Sequence, residues 1–312
     1  MKISYATHTV WSNPGSFRNR LPELPDAPGH MADVLENFMI HHTTAHLLDI
    51  RIPGVAERDR RARTVERLLS TAVARDRREL SVQRELSDYL FVGSREFALL
   101  AASILRSNGV EARLRVGFVD YFKTDHWEEQ WLCEYWTEGG WRRLDAQLGW
   151  RARGAYGIDF ASEDVPDDRF LSAGRLWQAI RTGEVRAAQC GRHRDGITGV
   201  WLPAACMLKD VATLCGFEPL ASDHWGPATA FSRNRAVSVR DYAELDALAD
   251  LFSEAPQSPF EARSLAEQFS WALPGSAIMN EVDEMPIERV YGRRPVRHAH
   301  LHARIQEARA SG

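Results

Sequence analysis

Three residues in the middle of the chain have the types that nucleophilic acyl chemistry needs, in a usable order. Ser94 follows Gly93 at the start of an apolar stretch. His126 lies in Asp125-His126-Trp127, and Asp145 in Leu144-Asp145-Ala146-Gln147. In such chemistry a side chain attacks a carbonyl, an imidazole moves the proton, and a carboxylate fixes the imidazole's tautomer and supports its charge. A helix beginning at Ser94 adds free N–H groups and a partial positive charge where an oxyanion would form. Each residue also has a plainer reading: Ser94 as a helix N-cap, His126 as a loop histidine, Asp145 as a turn residue at a strand end. The three together in this order favour the chemical one.

Other constellations point less firmly to chemistry. His42 and His46 stand four apart, as zinc-binding histidines do on one helix face, but Thr43-Thr44-Ala45 lies between them without the glutamate of H-E-x-x-H. Cys190-Gly191-Arg192-His193 has ligand types and no second pair nearby in sequence. His298, His300 and His302 alternate in a polar tail. No metal site is expected from any of these. Trp127, Trp131, Trp136, Trp141 and Trp150 crowd into one short stretch; they would line a ligand groove or, more simply, pack a sheet core.

The elements that would position Ser94, His126 and Asp145 follow from the apolar pattern. Phe97 to Leu105 is apolar nearly all round and stops at Asn108-Gly109, which predicts a buried helix over 95–107. Strands are expected at 110–122, 131–136 and 141–144, with Glu138-Gly139-Gly140 as the hairpin turn between the last two. A buried helix followed by an antiparallel sheet is an α+β core. Residues 1–30, rich in Pro, Gly and Asn, read as an ordered arm. Helical spacing predicts helices over 31–48, 56–73 and 80–90 before the core, and over 173–181, 202–215 and 242–252 after it. The expected organisation is an arm with helical extension (1–79), a core (80–150) and a mainly helical extension (151–312).

The 312 residues suit one large domain or two small ones, and a 44% apolar fraction is ordinary for a globular chain. No apolar run approaches the ~18 residues of a membrane span, and residues 1–5 do not open a secretory signal, so the expected location is cytoplasmic. Net charge is −4, with acids interspersed in the arginine-rich runs 58–63 and 75–79, which argues against nucleic acid as a partner. Cys133, Cys190, Cys206 and Cys215 form no C-x-x-C pair and read as reduced, mostly buried thiols.

The stretch 92–148 resembles the bacterial transglutaminase-like superfamily. The resemblance rests on Gly93-Ser94-Arg95-Glu96-Phe97-Ala98-Leu99-Leu100, Gly109-Val110-Glu111-Ala112-Arg113-Leu114-Arg115-Val116-Gly117-Phe118, Asp125-His126-Trp127, Cys133-Glu134-Tyr135-Trp136 and Trp141-Arg142-Arg143-Leu144-Asp145-Ala146-Gln147-Leu148. It implies a papain-like core with Cys, His and Asp in that order, the cysteine falling on Ser94, the histidine on His126 and the aspartate on Asp145. The implied activity is acyl transfer or hydrolysis on an amide or thioester, with no cofactor. The substrate would be a small-molecule, peptide or carrier-bound acyl group. The backbone N–H of residue 94 would be an oxyanion donor, and Gln147 and Trp127 would be substrate contacts. Serine departs from the pattern, because a hydroxyl is not a ready thiolate and depends on the imidazole during attack. An engineered Cys-to-Ser exchange, a natural serine triad and a silent binding or scaffold protein all fit the sequence. Cys133, placed within a strand, is no substitute nucleophile.

Overall fold

The computed structural model describes residues 4–231 and 239–275. The first third carries α1 (Pro28–Leu35), β1 (Met39–His41), α2 (His42–Leu47), α3 (Val65–Arg75) and β2 (Leu90–Val92), joined by 3₁₀ turns. The core follows with α4 (Ser94–Ser107), β3 (Ala112–Val119), β4 (Trp127–Thr137) and β5 (Gly140–Leu144). Beyond it come α5 (Trp150–Tyr156), β6 (Phe170–Ser172), α6 (Ala173–Thr182), β7 (Cys190–Arg192), β8 (Ile197–Thr198), α7 (Trp201–Leu214), α8 (Ala228–Phe231), α9 (Val239–Leu251) and α10 (Pro259–Ala266). The architecture is α+β.

The central helix α4 is buried along nearly its whole length, as its apolar circumference requires. Gly93 caps it, and Glu96 reaches back to accept from the Gly93 N–H (2.9 Å). At the other end Gly109 adopts φ +76°, the left-handed conformation that closes a helix. The main sheet runs β6-β3-β4-β7-β8, with β5 also on β4. The β3–β4, β4–β5 and β3–β6 ladders are antiparallel, whereas β7 joins β4 in parallel, so the sheet is mixed and not purely antiparallel. Gly117 is fixed by this packing: a Cβ there would stand 2.2 Å from the Leu171 carbonyl oxygen of β6.

Two N-terminal expectations fail. The span 31–48 is not one helix: Phe38, Met39 and Ile40 leave the helical path, and β1 pairs in parallel with β2. The apolar run 38–40 is a short buried strand, which periodicity alone does not separate from buried helix. Likewise 80–90 is no helix but a 3₁₀ turn leading into β2. The expected helix over 56–73 is interrupted at 62–64, where Thr64 starts α3 by accepting from the Arg67 N–H. The helices after the core lie where the pattern placed them, within a few residues. His298, His300 and His302 lie outside the described residues. No described helix is long and apolar enough to cross a membrane.

Candidate functional site

Ser94 is the first residue of α4, one position inside its Gly93 cap, so the N-cap reading of Ser94 does not hold. On the edge of β4 away from β3, β7 pairs with residues 127–128 and β5 with 133–137. Residues 129–132 have no strand partner on that side, and the first turn of α4 fills the gap. There Ser94 Oγ accepts from the Trp131 N–H (3.2 Å).

Asp145, just beyond β5, is fully buried. It accepts from Tyr121 Oη (2.6 Å), from Gln130 Nε2 (2.8 Å) and from the Gln147 backbone N–H (3.2 Å). Gln130 Nε2 also lies 3.3 Å from Gln147 Oε1. All of these donors are neutral. Burial therefore prevails over the three hydrogen bonds, and the Asp145 carboxyl is pushed up to about 6. The same burial and the adjacent Asp145 carboxylate raise Tyr121 well above the ordinary phenol range.

The group that joins Asp145 to the Ser94 region is therefore Gln130, not His126. Gln130 bonds Asp145 through its side chain, and its chain neighbour Trp131 bonds Ser94 through its backbone. His126 stands five residues before Trp131, which along extended chain is roughly 16 Å of backbone. It follows Asp125, whose φ of +55° turns the chain into β4. Its ring bonds the Gly191 backbone, and its Nε2 is 3.2 Å from Glu128 Oε2 but aligned with no hydrogen-bond partner. Burial, followed by the nearby Lys123 and His193, lowers its pKa below 6.5. The assignment of His126 as the base facing Ser94 and Asp145 is thus corrected: no hydrogen bond joins it to either among the described residues. Position along the strand decides this: His126 and Gln130 share one phase but lie four residues, roughly 13 Å, apart, and of the β4 side chains that of Gln130 is the one bonded to Asp145. A glutamine carries no acid–base signal, and Gln130 lies one residue before the strand expected at 131–136, within the earlier start of β4.

A cavity of about 440 Å³ opens beside this junction, and Gln130, Gln147 and Glu128 line it together with His41, Phe122 and Tyr156. Gln147 is thus at the cavity, whereas Trp127 is not among its lining residues and packs against the main core. Burial raises the Glu128 carboxyl to about 7, although the His193 backbone N–H bonds it. The tryptophans do not form one groove. Trp131 is core, Trp136 and Trp141 meet edge to face at 5.5 Å, and Trp150 is 55% exposed. All four cysteines are free and buried, and burial raises the Cys133 thiol far above its ordinary value. Cys190 and Arg192 form β7, and Arg192 pairs with Glu129. No group of three or more His, Cys, Asp or Glu side chains placed to hold a metal ion occurs among the described residues.

No curated protein and no solved structure matches the chain. A family model described as the Transglutaminase-like superfamily matches residues 58–146. The matched segment takes in the gap-filling helix, the three central strands, and Ser94, Gln130 and Asp145. That segment, built around a buried helix in an α+β architecture, is similar to the Transglutaminase-like superfamily.

Proposed function

We propose that this protein is a catalytically silent transglutaminase-like binding protein, which keeps the junction of an acyl-transfer site without the groups that run the reaction. The observation that carries this reading is the Gln130 amide on Asp145. Attack by a serine hydroxyl needs a base that takes its proton during bond formation, and an uncharged carboxamide does not accept one near neutral pH. Ser94 Oγ is moreover engaged by the Trp131 N–H. A single Cys-to-Ser exchange would have left an imidazole on Asp145, so an inactivating change at position 94 does not account for Gln130. What remains is the 440 Å³ cavity with two glutamine amides at its wall, suited to holding an amide- or ester-type group by hydrogen bonds. The acyl-transfer reading that pairs Ser94 with His126 and Asp145 lacks this support.

The test compares four proteins. The chain itself is treated with a fluorophosphonate and followed by mass spectrometry. Ser94→Cys, Ser94→Cys/His126→Ala and Ser94→Cys/Gln130→His are alkylated with iodoacetamide from pH 5 to 9. The expected results are no adduct at Ser94, slow alkylation of Cys in the first two variants alike, and fast alkylation near pH 7 once Gln130→His supplies an imidazole. A fluorophosphonate adduct on Ser94 would overturn the reading without any variant. So would fast alkylation of Ser94→Cys that slows with His126→Ala, or a double variant that reacts no faster than Ser94→Cys.

A further inference from the structure

A second and larger cavity, about 850 Å³, lies between α2, the following segment 49–60, Phe91 of β2 and the β7–β8 turn. Arg51, Arg60 and Arg194 all line it, and none of the three forms an ion pair or hydrogen bond among the described residues. Two carboxylates near these arginines, Asp59 and Glu129, are committed elsewhere. Asp59, next to Arg60, is held by both terminal nitrogens of Arg75 (2.7 and 2.8 Å) and by the Phe91 N–H (3.0 Å). Glu129 is held by Arg192, two residues before Arg194 (2.5 Å). Two acids, Asp49 and Asp195, also line the cavity, but neither forms an ion pair with an arginine among the described residues. The balance is an excess of guanidinium charge facing one concavity, with the Thr43 side chain and the imidazoles of His42 and His46 on the same wall.

From this convergence of three unpaired arginines we infer that the cavity binds a small molecule bearing a phosphate group. A guanidinium presents parallel N–H donors that match two oxygens of a phosphate, and three of them exceed what one carboxylate can accept. The volume is that of an ordinary small-molecule site. Thr43 and Arg194 also line the 440 Å³ cavity that holds Gln130 and Gln147, so the two spaces adjoin. A ligand with its phosphate among the arginines extends its uncharged remainder toward Phe122 and Tyr156 in the smaller space. The inference does not depend on whether Ser94 is silent, because none of its residues belongs to the Ser94–Gln130–Asp145 junction.

The experiment is titration of the full chain with inorganic pyrophosphate, and with acetate as a carboxylate control, at fixed ionic strength, read by calorimetry and by 31P line broadening. Saturable pyrophosphate binding is expected, at least tenfold tighter than acetate. Arg51→Gln/Arg60→Gln/Arg194→Gln should weaken it at least tenfold with an unchanged melting curve, since these exposed side chains hold nothing in place. Arg58→Gln/Arg61→Gln, which removes neighbouring arginines outside the cavity lining, should leave it unchanged. Absence of saturable binding to the unaltered chain would overturn the inference, as would equal binding of acetate, retention of affinity in the triple variant, or equal loss in the Arg58/Arg61 control.

Discussion

Glu134 on β4 and Asp145 just past β5 are both buried carboxylates, and they are held in opposite ways. Glu134 sits among cations: Arg113 Nε at 2.8 Å, Arg115 at 3.2 Å and Arg143 at 3.5 Å. Burial alone would raise its pKa, but the arginines together outweigh burial and hold it near 2. Asp145 has comparable burial and a similar number of hydrogen bonds, yet every donor is neutral and its carboxyl rises to about 6. Hydrogen bonds satisfy a buried carboxylate, but countercharge decides whether it stays ionised. In a working nucleophile–His–Asp arrangement the imidazolium formed during reaction supplies that countercharge. Here the acid is present and the cation is not, which is the electrostatic form of the silent-site reading.

The largest expected effect comes from breaking the charged side of this comparison. Glu134→Gln leaves Arg113 with uncompensated buried charge, while Asp210 continues to pair with Arg115 (2.9 Å). Loss of one partner of such a cluster costs about 3–5 kcal/mol, read as a shift of the urea midpoint. A loss below about 1 kcal/mol would mean that the cluster behaves as if solvated.

The two carboxylates also predict opposite pH windows. Because the folded pKa of Asp145 is raised, its neutral form favours the fold. That contribution is complete below about 3.8 and is lost as pH rises toward about 6. Asp145→Asn should therefore flatten the stability profile between pH 4 and 6. Above pH 6 it should match or exceed the parent by up to about 3 kcal/mol, at roughly 1.4 kcal/mol per pKa unit, provided the Gln130 amide turns to offer its oxygen to the new side chain. Glu134, with its pKa lowered, stabilises above about 4.5 and loses that contribution as pH falls toward 2. Melting temperatures of the parent and both variants across pH 2–8 separate the windows. A single common window would abolish the contrast.

A smaller and more local effect is expected from Gln130→His. An imidazole against the Asp145 carboxylate should titrate above 6.5, by about one unit for an ion pair of this kind. His126, with burial and two nearby bases against it, titrates below 6.5. Proton NMR titration should show the two rings on either side of 6.5. A residue-130 imidazole titrating below 6.5 would mean that it is not paired with Asp145.

Much of the core was legible in the sequence. The apolar circumference of 97–105 and the Asn108-Gly109 stop located α4, and the hairpin signal at 138–140 located β4 and β5, so Ser94 and Asp145 fell at their observed places. The residue between them was not legible from chemistry alone. His126 carries the function a triad requires, whereas the position that meets Asp145 is set by distance along β4, and β4 begins at Trp127, well before the expected 131. The β1–β2 pairing was hidden for a related reason: Met39-Ile40-His41 finds its partner about fifty residues later, and no local pattern announces a two-strand parallel pair. Of the cavity arginines only Arg60 stood in an arginine-rich run with interspersed acids, and which acids are already committed is a property of the folded chain.

The interruption in β4 has a consequence for what this chain can become by mutation. Since a side chain and not a strand accepts the Trp131 N–H, replacing Ser94 by alanine or valine would orphan a buried amide, at roughly 1–3 kcal/mol. Threonine or cysteine keeps an acceptor atom there. A lineage that gives up acyl chemistry is therefore still confined to small oxygen- or sulfur-bearing residues at this position. The outline of a nucleophile can persist for the sake of the sheet, long after selection for reactivity has ended.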